Sequence, residues 1–434
     1  MTSDTDDDND TIKLEISKGD NQFFEKGLGA LLSNPNFLLL YVPENGAKMQ
    51  VIRPTSDPYH RRRMIRRINE AEGIPSFYYA LSHLWGITEN NRHYWDDIGE
   101  YVNDEDGHPM KPVSMRPEKR DTLLALLKDH LDSYWWIDVL CARTETPLDI
   151  MGDIYACCLE CIAMIDCEPG VISQLHQMGD FKRYLYKRSI VNYEPHDIAA
   201  ARQDYEQCYR FTGLMYRFIQ SRWWKRVWTW QEMALPFGEV RLMAETGTHK
   251  AISSLITMRE LVRNYNRMSR IMQCAEYHCW WTKRSERHRT TKFKRKAALE
   301  DWYCEVRAAR TYNSDRIYEQ DVKDWLFNLL WTWGNCPRRC MDPVDYVYGV
   351  LGIFQFEIPR MDNPDAVWKL FLSKMDKLVD ELLGSFPGDP RRIRISDRAY
   401  QLDLRKAKDM ADVYKNLLLE SNIRYSPEEI VQYE

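Results

Sequence analysis

The residues best suited to chemistry lie in one aromatic stretch, Ser221–Leu235 (SRWWKRVWTWQEMAL). It combines four tryptophans with a single acid, Glu232. A helix over this stretch would place Glu232 one turn beyond Trp228, beside an indole surface. Burial against indole rings raises the pKa of a carboxyl group, and the same apolar wall suits a flat ring such as nicotinamide or adenine. The alternative is that the tryptophans form core and Glu232 is a solvated or paired acid.

A second group of candidate residues follows the strand-like segment Phe77–Gly86 (FYYALSHLWG). This segment delivers Ser82, His83, Trp85 and Gly86 to the end of a predicted strand. Open α/β sheets bind their ligands beyond the carboxyl ends of their strands, so we expect these four residues to contact a ligand. His83 on its own is more typical of a structural histidine that makes hydrogen bonds.

A third candidate is Asp138, which lies inside the apolar run Tyr134–Cys141 (YWWIDVLC). That run has the length of a strand and too many aromatic residues for a solvent face. An acid inside a buried strand must be paired or functional, because an unpaired buried charge is costly. We therefore add Asp138 to the predicted ligand-binding residues.

The elements that would position these residues alternate between strand and helix. Such an alternation is typical of an α/β fold, with a parallel sheet and crossover helices. Beyond residue 250 the pattern becomes mainly helical. The predicted strands and helices are Phe77–Gly86, Asp121–Leu131 (helix), Tyr134–Cys141, Leu148–Cys158 (helix), Glu160–Asp166, Asp197–Ile219 (helix) and Glu239–Glu245.

Shifts in composition divide the chain into five predicted parts. The first is too rich in aspartate to bury a face and is expected to be disordered. The parts are an acidic N-terminus (1–20), an N-terminal extension (21–75), an α/β core (76–246), a helical region that completes the core module (247–357) and a helical tail (358–434).

Charge and cysteine usage limit the partners and the compartment. The net charge of −5 and pI near 6.1 produce no overall field for nucleic acid, and the basic runs His60–Arg67 and Lys283–Lys296 are more typical of solvated faces. The eleven cysteines form no regular framework and the N-terminus is acidic, which favours a cytoplasmic protein with reduced thiols. No apolar run approaches the roughly 20 residues of a membrane span, so no membrane partner is expected.

Common cofactor and metal motifs are missing from the sequence. It contains no G-x-G-x-x-G, P-loop or H-E-x-x-H, which disfavours a Rossmann dehydrogenase, a nucleotide triphosphatase or a zinc protease. Cys157, Cys158 and Cys161 contain a C-x-x-C spacing, but no second pair or histidine completes a set of four ligands. We interpret them as buried thiols and predict no metal site.

Four segments, in order, resemble the HET (heterokaryon incompatibility) domain family of filamentous fungi. FYYALSHLWG resembles Y-x-A-L-S-Y-x-W-G, and YWWIDVLC followed by DIMGDIY resembles W-I-D-x-L-C-I-N-Q with M-x-x-I-Y. RWWKRVWTWQEMAL resembles W-x-x-R-x-W-T-x-Q-E, and RRCMDPVDYVYGVLGI resembles R-x-A-T-D-P-R-D-x-I-Y-A-L-L-G-L. The sequence departs from the family at Ala142–Pro147 (ARTETP), where the Asn, Gln and Glu of a longer loop are missing and Glu145 is a partial substitute.

HET domains are in turn similar to TIR domains, which have a flavodoxin-like α/β fold. Several TIR domains cleave the nicotinamide–ribose bond of NAD with a glutamate in a W-C-x-x-E-like pattern. This resemblance implies that Trp228–Glu232 (WTWQE) occupies the corresponding position, with Glu232 as the catalytic acid and Trp228 near the bound ring. It also implies that NAD is a substrate rather than a cofactor. Lys225, on the helical face of Glu232 two turns earlier, could meet a phosphate.

The resemblance implies an effector of fungal incompatibility and programmed cell death, an innate-immunity type of role. Two hypotheses stay open within it: an NAD glycohydrolase that uses Glu232, or a non-enzymatic signalling module that self-associates. The enzyme requires Glu232 to open onto a concave pocket with Ser82 or His83 facing it. The signalling module allows Glu232 to be buried in a salt bridge.

Overall fold

The computed structural model of the chain contains a mixed eight-stranded sheet, flanked by helices, and a separate two-stranded ribbon. It describes residues 11–14, 19–86, 92–178, 198–247, 255–279, 286–311, 329–330, 332–384 and 402–418. Most of the predicted disordered N-terminus, and the first residues of the basic run Lys283–Lys296, lie outside these ranges.

The strands of the described residues are short, and most of them fall where apolar runs predict them. In chain order they are β1 (Leu39–Val42), β2 (Met49–Ile52), β3 (Tyr78–His83), β4 (Tyr94–Trp95), β5 (Val102–Asn103), β6 (Val113–Ser114), β7 (Ser133–Ile137), β8 (Glu160–Ile165), β9 (Val240–Ala244) and β10 (Ile256–Thr257).

Helices cover both faces of the sheet and continue beyond it. They are α1 (Gly19–Ser33), α2 (Pro58–Asn69), α3 (Pro117–Lys128), α4 (Asp138–Cys141), α5 (Ile150–Ala156), α6 (Pro169–Met178), α7 (Ile198–Ile219), α8 (Thr229–Ala234), α9 (Met258–Cys279), α10 (Glu286–Thr311), α11 (Asp345–Tyr348), α12 (Leu351–Phe354), α13 (Pro364–Gly384) and α14 (Met410–Leu418). Short 3₁₀ helices lie at Asp96–Glu100, Arg222–Lys225 and Leu404–Lys406. Within the described ranges, no helix is long and apolar enough to cross a bilayer.

The centre of the sheet confirms the predicted α/β class. The sheet order is β10-β9-β8-β3-β7-β1-β2-β5, and the neighbours among β9, β8, β3 and β7 run parallel. Numbered along the chain, these four strands have the order 2-1-3-4 of a doubly wound, flavodoxin-like sheet. In such a sheet the connections reverse direction between the first and third strands, here β3 and β8, and ligands bind at the carboxyl ends beside that point.

Burial explains why these segments form central strands. All five residues of β7 are buried, as are five of the six in β8 and five of the six in β3. Near-continuous apolar runs are typical of parallel strands that are covered on both faces. Trp135 and Trp136 point to opposite faces of β7, since they are consecutive, and both are fully buried.

The predicted N-terminal extension belongs to the same sheet as the predicted core. Strand β1 pairs antiparallel with β7, Leu40 opposite Trp135, and β2 then pairs with β1. The boundary predicted at residues 75 and 76 therefore falls between strands of one sheet. An apolar run predicts a strand, but its pairing partner lies far away in the sequence and is not visible in the local pattern.

Helices after the sheet pack on each other through aromatic residues. In the described part of the C-terminal region, Tyr414 of α14 lies 4.7 Å from Trp333 between ring centroids and 6.1 Å from Phe371 of α13. Tyr414 and Trp333 are fully buried, so α14 closes a small aromatic core. This agrees with the predicted helical C-terminal region.

Candidate active site at the carboxyl edge of the sheet

The predicted site residues after β3 and β7 meet at one edge of the sheet. The two strands are parallel, with Leu81 opposite Ile137, so Ser82 and His83 lie beside the residue that follows β7. That residue is Asp138, the first residue of the short helix α4. The prediction that Asp138 lies inside a strand is wrong, because the strand ends at Ile137.

The aromatic stretch is not one helix, as its spacing predicts, but two short ones. A 3₁₀ helix covers Arg222–Lys225, and α8 begins only at Thr229. The intervening backbone pairs with a distant segment: Arg339 N donates to Lys225 O at 2.6 Å and Val227 N donates to Arg339 O at 3.1 Å. These bonds replace the helical ones, and they place Glu232 in the first turn of α8.

Glu232 is buried against Ser82. The Ser82 hydroxyl donates a short hydrogen bond to Glu232 Oε2 and accepts one from Trp223 Nε1 at 2.8 Å. Glu232 is 5% exposed, and within the described ranges it forms no ion pair with a lysine or arginine. Burial and the negative charge of Asp138 raise the pKa of Glu232 to about 7, against the opposing hydrogen bond from Ser82. The carboxyl group is buried rather than open onto the pocket that the enzyme hypothesis requires, and within the described ranges it is not held in the salt bridge that the alternative allows.

Asp138 is the hub of a second set of contacts. His83 Nε2 lies 2.9 Å from Asp138 Oδ1, Trp85 Nε1 donates to Oδ2 at 2.5 Å, and the Val139 amide donates to Oδ1 at 2.7 Å. Burial alone would raise the pKa of Asp138, but His83 and the hydrogen bond from Trp85 lower it below its usual value. The site therefore holds two carboxyl groups whose pKa values are shifted in opposite directions, as in sites that divide acid and base roles.

Lys119 is a site residue that the sequence analysis missed. It is fully buried in α3, where its Nζ donates to Leu84 O and lies 3.1 Å from His83 Nδ1. Burial and the nearby charge of Arg116 lower the pKa of Lys119 to about 7. A signal was present in the sequence, because Lys119 precedes Leu123 and Leu126 at helical spacing and so falls on the apolar face of α3.

Comparison with known families decides what kind of module this is. Residues 78–232 match the family model described as "Heterokaryon incompatibility protein (HET)". The match begins at the first residue of β3 and ends at Glu232, so it contains both sets of contacts. Over residues 78–232 the chain is similar to HET domains, and this segment is called the HET domain below. No curated protein and no solved structure matches the chain.

The resemblance stated from the sequence motifs is thus confirmed for the first three segments. The HET domain indicates a heterokaryon incompatibility-type protein. The fourth segment, which begins at Arg338, lies outside the match but makes direct contact with the HET domain.

Arg338 supports the backbone that carries Glu232. Its Nη1 donates to Arg226 O and to Thr229 Oγ1, both at 2.8 Å, and its Nε donates to Glu305 Oε1 at 2.6 Å. The guanidinium is fully buried and lies 5.5 Å from the Trp230 ring centroid. Arg338 therefore joins the last turn before α8 to a helix outside the HET domain, α10. It corresponds to the arginine that opens the fourth family-like segment.

Several buried side chains of the HET domain have polar atoms without a hydrogen-bond partner among the described residues. They include the Tyr155 hydroxyl and both polar atoms of the Gln231 amide. Tyr155 is fully buried, and its pKa is raised by burial and by the charges of Glu232 and Asp138. A buried polar atom without a partner is costly, and such atoms cluster at functional sites.

Three predicted binding residues have contacts that lead away from Glu232. Lys225 Nζ donates to Gln220 Oε1 at 3.2 Å, and the Trp228 indole donates to Asp345. Gly86 is needed for packing, because a Cβ there would overlap the His93 carbonyl oxygen and the backbone of Met115. The break in the aromatic stretch removes the helical register on which the prediction for Lys225 depended.

The three neighbouring cysteines of the CCLEC segment lie in the core. Cys157, Cys158 and Cys161 are fully buried free thiols, and burial raises the pKa of each. A thiol kept protonated in this way is a poor metal ligand and a poor nucleophile. This agrees with the interpretation of these residues as part of the core.

A cavity of about 280 Å³ lies in the C-terminal helical region rather than at the HET-domain site. Its lining includes Trp368 and Leu372 of α13 and Arg405. Arg405 is already paired with Asp365 at 3.4 Å and with Asp403 at 2.8 Å. None of the predicted site residues lines this cavity.

Proposed function

We propose that the chain is an incompatibility-type effector whose HET domain hydrolyses NAD at the nicotinamide–ribose bond, with Glu232 as the catalytic carboxylate. The observation that carries this proposal is a carboxyl group with a pKa of about 7, buried at the carboxyl edge of the central strands beside their reversal point. A catalytic acid or base works best when its pKa lies near the operating pH.

The proposed reaction needs little beyond a well-placed negative charge. The bond between the ribose C1′ and the pyridinium nitrogen breaks, its electron pair leaves with neutral nicotinamide, and the ribose acquires oxocarbenium character. Ionised Glu232 stabilises that positive charge and accepts the proton of the water that adds to C1′. The products are nicotinamide, ADP-ribose and one proton.

The surroundings of Glu232 support a defined geometry for this step. Ser82 is hydrogen-bonded on one side to Glu232 and on the other to the fully buried Trp223, so its hydroxyl has a fixed direction. A substrate that accepts or donates a hydrogen bond at the same place would compete with Ser82 for Glu232. The unpaired hydroxyl of Tyr155, whose pKa is raised in part by the charge of Glu232, adds a polar group that a bound nucleotide could satisfy.

Release of nicotinamide from NAD tests the proposal directly. Full-length protein is incubated with NAD as wild type and as Glu232→Gln, which keeps the shape but removes the negative charge. We expect wild type to release nicotinamide and the variant to do so at least ~100-fold more slowly. Glu160→Gln is the control, since Glu160 starts β8 at the opposite edge and pairs with Arg241 at 2.6 Å.

The control should cleave NAD at the wild-type rate. The proposal fails if wild-type protein leaves NAD intact at both dilute and self-associating concentrations, or if Glu232→Gln retains full activity. In the first case the remaining interpretation is a signalling module without this enzymatic step.

A further inference from the structure

Trp85 is unusual among the described tryptophans because its ring is exposed while its polar atom is held in the interior. It is 40% exposed, whereas the other described tryptophans are buried or half-buried. Its Nε1 donates to Asp138 Oδ2 at 2.5 Å. A large indole in contact with solvent gains little from burial, so core packing does not explain why it is fixed.

A chain of buried groups holds the indole through Asp138. The lowered pKa of Asp138 keeps it ionised, so it only accepts hydrogen bonds, and His83 Nε2 lies 2.9 Å from its Oδ1. His83 Nδ1 lies 3.0 Å from Leu84 O and 3.1 Å from Lys119 Nζ, which itself donates to Leu84 O. Lys119 and His83 are almost completely buried, at 0% and 2% exposed. The order Lys119, His83, Asp138, Trp85 runs from the interior to the surface.

Burying a lysine, a histidine and an aspartate is costly unless the groups pair with one another, and their contacts fix the position of Asp138. Trp85 lies three residues after Ser82, which contacts Glu232 directly. Asp138 connects Trp85 and Glu232, since it accepts the Trp85 N–H and its charge raises the pKa of Glu232, at the edge of the sheet where ligands bind. An exposed indole of fixed orientation is suited to stacking on a planar, electron-poor or heteroaromatic ring.

We infer that the exposed indole of Trp85 is the stacking surface for a planar ring of an NAD-type nucleotide, and that Lys119 is a positioning residue acting on it through His83 and Asp138. This inference rests on the proposed function for its choice of ligand. The inference concerns NAD binding rather than NAD cleavage, so it can be tested separately from the proposed hydrolase activity.

Calorimetric titration with NAD, in a Glu232→Gln background that does not cleave it, measures the binding step alone. We expect Trp85→Ala to weaken NAD binding about tenfold or more, because stacking on an aromatic side chain is lost. The NAD affinity of Trp85→Phe should lie between those of the parent and Trp85→Ala, since phenylalanine keeps a ring but loses the N–H group. Tyr59→Ala is the matched control, because Tyr59 is an aromatic residue of α2 with 65% of its surface exposed.

A double-mutant cycle tests the role of Lys119. Lys119→Met keeps the volume of the side chain but removes the contact with His83, and we expect it to weaken NAD binding about threefold through a less ordered indole. In the Trp85→Phe background no ring N–H remains to be positioned, so Lys119→Met should have no further effect there. A purely structural role would weaken binding equally in both backgrounds.

The inference is overturned if Trp85→Ala binds NAD as tightly as its parent, or if the Glu232→Gln protein does not bind NAD at all. Equal effects of Lys119→Met in both backgrounds would remove the positioning role. If wild-type protein binds NAD through Trp85 but does not cleave it, the proposed hydrolase activity is lost and the stacking surface stands.

Discussion

The two ends of strand β7 carry charged clusters that are built in opposite ways. At its start, Asp132 is contacted by Arg63 and by Arg67, whose Nη2 lies 2.7 Å from Oδ2, and it accepts a hydrogen bond from the Tyr41 hydroxyl at 3.0 Å. At its other end lie Asp138 and, close to it, Glu232, which has no arginine or lysine ion pair within the described ranges.

The difference lies in the pKa shifts of the two acids, which have opposite directions. Burial would raise the pKa of Asp132, but the hydrogen bond from Arg63 and the charge of Arg67 lower it, so its proton is lost at all ordinary pH values. Glu232 instead has a pKa of about 7 and exchanges its proton near neutrality. Two arginines keep the first acid ionised, whereas burial and the charge of Asp138 outweigh the more distant Arg226 and Arg338 at the second, as the proposed function requires.

The largest expected effect comes from removing the guanidinium that supports the Glu232 segment. Arg338→Met leaves Glu305 buried without its partner, and we expect a loss of about 3–5 kcal/mol in the free energy of unfolding. Arg63→Met, at the start of β7, should cost about 1 kcal/mol or less, because Arg67 still neutralises the partly exposed Asp132. Urea unfolding of both variants checks the contrast, and equal losses would contradict it.

Removing the charge of Glu232 and removing the charge of Asp132 should change protein stability in opposite directions at neutral pH. Between pH 4.5 and about 7, folded protein keeps a proton on Glu232 that the unfolded chain releases, so wild-type stability falls as pH rises through this window. Glu232→Gln cannot lose that proton. It should be more stable than wild type by about 3 kcal/mol above pH 7 and equal to it below pH 4.5.

The matching variant at the other end is Asp132→Asn. Asn suits the left-handed backbone of this position, where φ is 56°. Because the pKa of Asp132 is lowered by folding, its ionised form stabilises the protein above its ordinary pKa of 3.8, and that contribution is lost as pH falls. Asp132→Asn should therefore be less stable than wild type at neutral pH and similar to it in strong acid. Thermal unfolding of wild type, Glu232→Gln and Asp132→Asn from pH 3 to 9 measures these differences. If both variants were stabilised, or both destabilised, at neutral pH, the contrast between the two acids would be wrong.

A smaller effect is expected from the packing behind α8. A Cβ on Gly352 would lie 2.6 Å from Leu235 Cδ1 and 2.7 Å from the Cα of Gly152, so Gly352→Ala must push α12 away from α5 and α8. We expect a cost of about 1–3 kcal/mol from overpacking. Gly73→Ala is the control, since no atom lies within 4 Å of a Cβ at Gly73. If Gly352→Ala left the free energy of unfolding unchanged, the packing of α8 against α5 and α12 would have to be loose.

Local patterns were sufficient to predict the centre of the sheet. The apolar runs before Ser82 and Asp138 form parallel strands because their buried side chains alternate between two covered faces. That arrangement alone brings His83 next to Asp138. Both residues of the Ser82–Glu232 contact were candidates in the sequence analysis, Ser82 at the end of a predicted strand and Glu232 in the third family-like segment.

Other features depended on contacts between distant residues, which no local pattern contains. The spacing of the aromatic stretch predicts one helix, but pairing of Val227 with Arg339 breaks it. The shared helical face predicted for Lys225 and Glu232 is lost for that reason. The role of Lys119 was missed because a buried lysine is rare, although its helical phase places it on the apolar face of α3.

The anchoring of α8 by Arg338 has a consequence for constructing chimaeric proteins. The recognisable HET segment stops at Glu232, in the middle of α8, while the guanidinium that anchors this helix arrives more than a hundred positions later in the sequence. Exchanging only 78–232 between two such proteins would separate Glu232 from the arginine that anchors its helix and divide α8 between two parents. A transplantable segment has to run from β1, which pairs with β7, through Arg338.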